Sequence, residues 1–251
     1  LPTVGSITLS GTKLRSRLFT DGKRWAEVEM GNRDVVTIGA SAGGVEALVF
    51  LAGKLPPELE ASILVTIHLA SEYRSWLDVV LTRSGPLAAS FATDGEVMQK
   101  SRIYIAPPAR HLLIEGNRLT LGIGPRENHA RPAIDPMMRS AAACCGSRSI
   151  GVVLTGASGD GASGLSALKR CGGIAVVQDP EDARFSQMPE TALRRSNVDR
   201  VASLAEMPAL LERLVQEPAG AAAPVPAHIK DKVEIAKSGY SSTSLAVQQE
   251  A

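Results

Sequence analysis

The sequence predicts an α/β fold built on a doubly wound, mostly parallel sheet, and three observations carry that expectation. Short apolar, β-prone runs recur at 35–38, 63–67, 150–154 and 174–177. Amphipathic stretches of helical length separate them, as after Gly43-Gly44 and over 162–170. The breaks that follow the first and third of these runs are rich in glycine. Apolar strands alternating with amphipathic helices imply a sheet covered on both faces, a Rossmann-like three-layer αβα arrangement. In such sheets chemistry gathers at the carboxyl ends of the strands.

Residues 1–33 are polar, carry many basic residues and show no sustained periodicity, which reads as an N-terminal arm or accessory segment. The run at 35–38 ends in glycine and is followed by Val45-Glu46-Ala47-Leu48-Val49-Phe50-Leu51, a helical pattern. A second buried-type strand covers 63–67, with an amphipathic helix over 76–83. Segments 102–106, 111–115 and 119–123 are broken by Pro107-Pro108 and Gly116-Asn117, which suggests antiparallel hairpin strands added to the main sheet. Asp135-Pro136 places aspartate at a helix cap and proline in the first turn, predicting a helix that runs to Cys145 and stops at Gly146. Strand 150–154, helix 162–170, strand 174–177 and helices near 189–195 and 207–215 complete the pattern. The globular domain is therefore expected over 34–215, and the Ala/Pro-rich 216–251 reads as linker and flexible tail.

Composition excludes several classes. Lys and Arg number 27 against 26 Asp and Glu, a net charge of +1, so nothing points to nucleic acid or a membrane surface as partner. No apolar run approaches the roughly 18 residues of a membrane span, and no signal-peptide pattern opens the chain. Of three cysteines, Cys144 and Cys145 are adjacent and no C-x-x-C pair exists. Free buried thiols in a reducing, cytoplasmic compartment are expected, without a zinc site. No zipper pattern is present, and a monomer is expected. The chain opens on Leu1 rather than methionine, as a fragment of a longer protein would.

Three chemistry-bearing residues fall just past strand ends. Ser41 lies in Gly39-Ala40-Ser41-Ala42-Gly43-Gly44, where small neighbours permit a sharp turn that exposes the hydroxyl. The same turn could cradle a phosphate or merely connect elements. His68 ends Val65-Thr66-Ile67-His68, and alone it is as compatible with a structural histidine as with a base. Asp160, in Gly156-Ala157-Ser158-Gly159-Asp160-Gly161, could equally cap the next helix. Together they form a set in which histidine could deprotonate serine and a carboxylate could orient histidine. Dinucleotide binding is disfavoured: the spacing is not G-x-G-x-x-G, and the second strand ends in His68 where an acid is needed.

The ordered series Val36-Thr37-Ile38-Gly39-Ala40-Ser41-Ala42-Gly43-Gly44-Val45-Glu46-Ala47, His68, Ile103-Tyr104-Ile105-Ala106-Pro107 with His111, and Arg131-Pro132 with Asp135 resembles the CheB methylesterase catalytic domain. Leu154-Thr155-Gly156, Gly159-Asp160-Gly161-Ala162, Gln178-Asp179-Pro180 and Ser186-Gln187-Met188-Pro189 extend the likeness over about 34–215. The resemblance implies hydrolysis of glutamate γ-methyl esters on the cytoplasmic domain of methyl-accepting chemoreceptors, and deamidation of glutamine in some members. It assigns Ser41 as nucleophile, His68 as base and Asp160 as orienting acid, with no cofactor and no metal. Backbone N–H groups near Ala42 and Ala157 are the expected oxyanion donors.

The chain departs from the family pattern at several places. Ala42 stands where threonine is usual, Ile67 where glutamine is usual, and Ala157-Ser158 where methionine-glycine is usual. A proline common soon after the histidine is missing. The 34 residues before Val35 are too few for a receiver domain, so a separate receiver-type regulator would have to supply control. Two alternatives follow from these departures: a signalling adaptor of the same fold with little turnover, and an esterase for a methyl ester outside chemotaxis. His111 and His129 are candidates to line the cleft or to sit exposed in loops. Arg126, Arg131 and Arg139 are a basic cluster that could meet acidic receptor helices or simply form a solvated face. Ser158 is a weaker nucleophile candidate, and Met188-Pro189 is expected to shape the mouth of the site.

Overall fold

The computed structural model describes residues 15–18, 26–29, 31–68, 76–221 and 223–239. A two-stranded antiparallel ribbon, β1 (Arg15–Leu18) and β2 (Ala26–Glu29), lies within the expected arm. The chain then alternates through β3 (Val35–Ala40), α1 (Gly44–Ala52), β4 (Ser62–Ile67), α2 (Leu77–Ser84), β5 (Ala88–Phe91) and β6 (Arg102–Ile105). A hairpin of β7 (His111–Glu115) and β8 (Arg118–Gly122) leads to α3 (Ile134–Cys145). The rhythm resumes with β9 (Ser149–Val153), α4 (Ala162–Arg170), β10 (Ile174–Gln178), α5 (Gln187–Arg195), β11 (Arg200–Ala202) and α6 (Met207–Gln216), and α7 (Ala227–Ser238) follows.

Seven strands form one parallel sheet in the order β11-β10-β9-β3-β4-β6-β5. Strand side chains alternate between faces, and the core divides accordingly. Val36, Ile38, Ile63, Val65, Ile67 and Val152 pack with α1, α2 and α6 on one face. Leu64, Tyr104, Val153 and Val177 pack on the other with α3, α4 and the β7–β8 hairpin. Both faces are covered, so every residue of β3, β4 and β9 is buried.

Three expectations need correction. The segment at 102–106 is no hairpin strand: β6 sits inside the parallel sheet between β4 and β5, and the hairpin is β7–β8 alone, a separate two-stranded sheet. Pro107-Pro108 ends a sheet strand there instead of separating two hairpin partners. Asp135 does not cap its own helix; α3 begins at Ile134 after Ala133, and the Asp135 side chain is bonded elsewhere. Finally, the expected tail contains α7, whose Ile229 and Ala236 are buried. Ile123 N and Gly124 N cap its end by donating to Lys237 O and Ala236 O, each at 3.0 Å. Residues 240–251 of that tail lie outside the described residues. Among the described residues no helix is long and apolar enough to cross a membrane.

Candidate active site

The strand order places β3 between β9 and β4, which brings the three candidate residues to one edge of the sheet. Ala40 pairs in register with Ile67, so Ser41 and His68 leave neighbouring parallel strands side by side, at an inter-strand spacing of about 4.8 Å. Ser41 N donates to Thr155 O at 3.0 Å, tying the exit of β3 to that of β9. Gly44 N closes the turn on Ser41 O at 2.8 Å, and Gly43 adopts φ +74°, a left-handed value that favours glycine. Helix α1 starts at the next residue, so its free amides and positive dipole end lie at the serine turn. Ser41 Oγ itself makes no hydrogen bond with any described residue.

Asp160 is the most heavily bonded group of the site. Its Oδ2 accepts from His68 Nε2 at 2.8 Å and Ile134 N at 2.7 Å. Its Oδ1 accepts from Asn128 Nδ2 at 2.8 Å and from Asp135 N and Gly161 N at 3.0 Å each. Only 1% of the residue is exposed. Burial pushes the carboxyl up, but the His68 hydrogen bond and the Ile134 and Asp135 amides outweigh it and hold the pKa below its ordinary value. With Nε2 committed to Asp160, Nδ1 is the imidazole nitrogen left free.

Asp135 and Asp160 exchange their helix caps. Asp160 precedes α4, yet it accepts from the first amides of α3. Asp135 belongs to α3, yet its Oδ1 accepts from Gly161 N at 2.9 Å and Gly164 N at 2.7 Å at the start of α4. Asn128, with φ 50°, bridges them by donating to Asp135 Oδ2 at 3.1 Å as well as to Asp160. Two buried carboxylates so close cannot both ionise freely. Burial first, and then the charge of Asp160, raise Asp135 to about 6.

The loop after β9 forms the other wall. A Cβ placed on Gly156 would stand 2.9 Å from Ser41 Cβ and 2.0 Å from Met188 Sδ, so only glycine fits beside the serine. Gly156 N and O pair with Phe185 O and Met188 N, each at 3.0 Å, which seats the start of α5 against the turn. Thr155 Oγ1 donates to Ala42 O at 3.0 Å and accepts from Phe185 N at 2.9 Å, while Thr155 N donates to Gln178 Oε1 at 2.9 Å. The N–H groups of Ala42 and Ala157 have no acceptor among the described residues.

Other candidates fall outside this cluster. His111 is fully buried; Nε2 donates to Pro125 O at 2.9 Å and Nδ1 accepts from Ala133 N at 3.2 Å. That histidine holds the approach to α3, and burial lowers its pKa. His129 is exposed with φ 64°. The expected basic cluster is divided: Arg131 donates to Ile123 O and Gly124 O, Arg139 is buried and pairs with Glu127, and Arg126 is exposed. Ser158 Oγ accepts from Asp160 N at 3.3 Å, a turn contact. Asn128 gives no signal in the sequence, because its role depends on Asp160, 32 residues on, meeting Asp135; Thr155, Gly156 and Gln178 stand within recognised motifs without an assigned task. Among the described residues no group of three His, Cys, Asp or Glu side chains could hold a metal ion.

Comparison with known proteins agrees with this architecture. The sequence model of the CheB methylesterase family matches residues 36–211. A protein of Leptospira interrogans is 36% identical over 186 residues, covering 74% of this chain and 96% of its own length. The "Protein-glutamate methylesterase/protein-glutamine glutaminase" of Pyrococcus abyssi is 34% identical over 188 residues, 73% of this chain; the match spans 51% of that longer protein. The crystal structure of the Thermotoga maritima CheB methylesterase catalytic domain superposes with a TM-score of 0.69 at 30% identity, covering 72% of this chain and 98% of that one. By sequence and by fold, the chain belongs to the CheB methylesterase family.

Proposed function

We propose that the chain is a protein-glutamate methylesterase that works through Ser41, His68 and Asp160. The observation that carries this reading is the 2.8 Å contact from His68 Nε2 to a buried, ionised Asp160, at the end of the strand next to the half-buried Ser41 turn. Asp160 fixes the tautomer that carries hydrogen on Nε2, so Nδ1 is the base. Ser41 Oγ attacks the ester carbonyl while Nδ1 takes its proton, and the imidazolium formed is stabilised by Asp160. The amides of Ala42 and Ala157 receive the developing oxyanion. Nδ1–H then protonates the departing methoxide, which leaves as methanol. Water, deprotonated by the same nitrogen, cleaves the acyl-enzyme and restores the glutamate carboxylate. Glutamine deamidation runs through the same acyl-enzyme, with ammonia leaving.

The substrate we assign is the cytoplasmic domain of methyl-accepting chemoreceptors, with the cytoplasm as location. The family membership and the relatives' names support this assignment. The test is methanol release from radiolabelled, methylated receptor membranes by wild type and Ser41→Ala. Wild type should turn over, and Ser41→Ala should lose at least about 10³-fold while keeping its melting temperature. Retained activity in the variant removes the mechanism. Receptor binding without methanol release by wild type replaces it with an adaptor role, and hydrolysis of simple methyl esters alone moves the substrate outside chemotaxis.

A further inference from the structure

Helix α7 lies beyond the segment that matches the family, and it completes a cavity the family segment would leave open. The cavity measures about 410 Å³ and lies between α3, α4, α5 and α7. That is the size range of small-molecule sites. Its titratable lining is markedly one-sided: Arg139 of α3, Arg170 of α4, Arg195 of α5, and His228 and Lys232 of α7, against the single carboxylate of Asp135. That carboxylate is already engaged by Gly161 N, Gly164 N and Asn128. Arg195 and Lys232 have no carboxylate partner among the described residues, and Arg170 meets only His228 Nε2, at 3.2 Å.

Clustered cations are explained by solvent alone when all of them are exposed. Here one is not. Arg139 is 2% exposed, lines the cavity, gives one nitrogen to Glu127 and leaves its buried Nε without a partner. Ser163 and Ser166 add hydroxyls from α4. We infer that the cavity is a binding site for a phosphate-type dianion, either inorganic phosphate or the phosphate end of a phosphomonoester. Several cations approaching from four helices suit an anion with three strong acceptor oxygens better than a single carboxylate, which offers two. The ligand would join α7 to α3, which carries Asp135, and to α4, which follows Asp160. Asn128 and Gly159 line the same cavity, so the site adjoins the polar ring around Asp160 without including Ser41 or His68.

The test is calorimetric titration of the full chain with inorganic phosphate and, separately, phenyl phosphate at constant ionic strength. One site per chain with a Kd below about 1 mM is expected. Arg195→Gln and Lys232→Gln, both at exposed positions, should each weaken binding at least about tenfold, the scale of one charge-assisted contact. Arg83→Gln, outside the cavity on α2, should leave it unchanged. Preference for phenyl phosphate assigns a phosphomonoester; equal or weaker binding assigns free phosphate. The inference is overturned if neither probe saturates by about 10 mM, or if both Arg195→Gln and Lys232→Gln bind as wild type does. Binding is read directly, so the result is independent of ester hydrolysis.

Discussion

On one face of the sheet, α1, α2 and α6 bury apolar residues and Gly44, with Leu48, Leu51, Leu81 and Leu211 among them. On the other, α3 alone buries Asp135, Arg139 and Ser140 beside Ile134, Met137 and Met138. Burying polar groups is costly unless each finds a partner. The partners on this face come from distant segments: Asp160 serves α3, Asp135 serves α4, and Ser140 Oγ accepts from Ile114 N at 3.0 Å. The contrast separates two kinds of stability. The first face is held by burial that any well-packed apolar set could supply. The second adds to its own apolar core a specific polar network, whose geometry is what the proposed chemistry needs.

The sharpest challenge to that division is Asp160→Asn. An amide there keeps acceptor capacity on one atom only and turns an N–H₂ group toward donors, including His68. Methanol release should fall by about 10³- to 10⁴-fold, with the fold retained. A loss below about tenfold would place the second face with the first, as scaffold only. Next in size is Leu211→Ala, a fully buried position on α6. It should cost about 2–5 kcal/mol in denaturant unfolding while turnover per folded molecule is unchanged. Altered turnover well below the melting temperature would show that the faces are coupled.

The smallest effect concerns pH. Asp135 is raised above its ordinary 3.8 to about 6, by burial and then by Asp160. The folded state therefore favours the protonated acid. The stability this group contributes is full below 3.8 and is lost as pH rises through about 6. Asp160, held below its ordinary value, works in the opposite sense: its contribution is present above 3.8 and is lost as pH falls through its lowered pKa. Between pH 4 and 6 the two should be separable by unfolding midpoints of wild type and Asp135→Asn. The variant should lose the decline toward pH 6; an unchanged profile would mean that Asp135 is ionised at little expense.

The two faces also differed in how much the sequence revealed. Runs such as Val35-Val36-Thr37-Ile38 and the glycine turns after them are local patterns, so the central strands and the positions of Ser41, His68 and Asp160 could be read directly. Strand β5, Ala-Ala-Ser-Phe at a sheet edge and only partly buried, has too little apolar content to stand out. Helix α7 buries just Ile229 and Ala236 along its length, so its surroundings read as tail. The local capping rule fails at Asp135 because the partners of its side chain come from 26 and 29 residues away. Asn128 could not be seen at all, since its importance exists only once two separate carboxylates have been brought together.

The exchanged caps have a consequence for how the enzyme comes into being. Neither α3 nor α4 has a finished N-terminus by itself, because each borrows the acceptor that the other carries. Docking of the two helices completes both ends, and the same contacts hold Asp160 where it meets His68. Under the proposed mechanism, loss of either helix end would displace Asp160 from His68, so partly folded forms of this chain are expected to lack esterase activity.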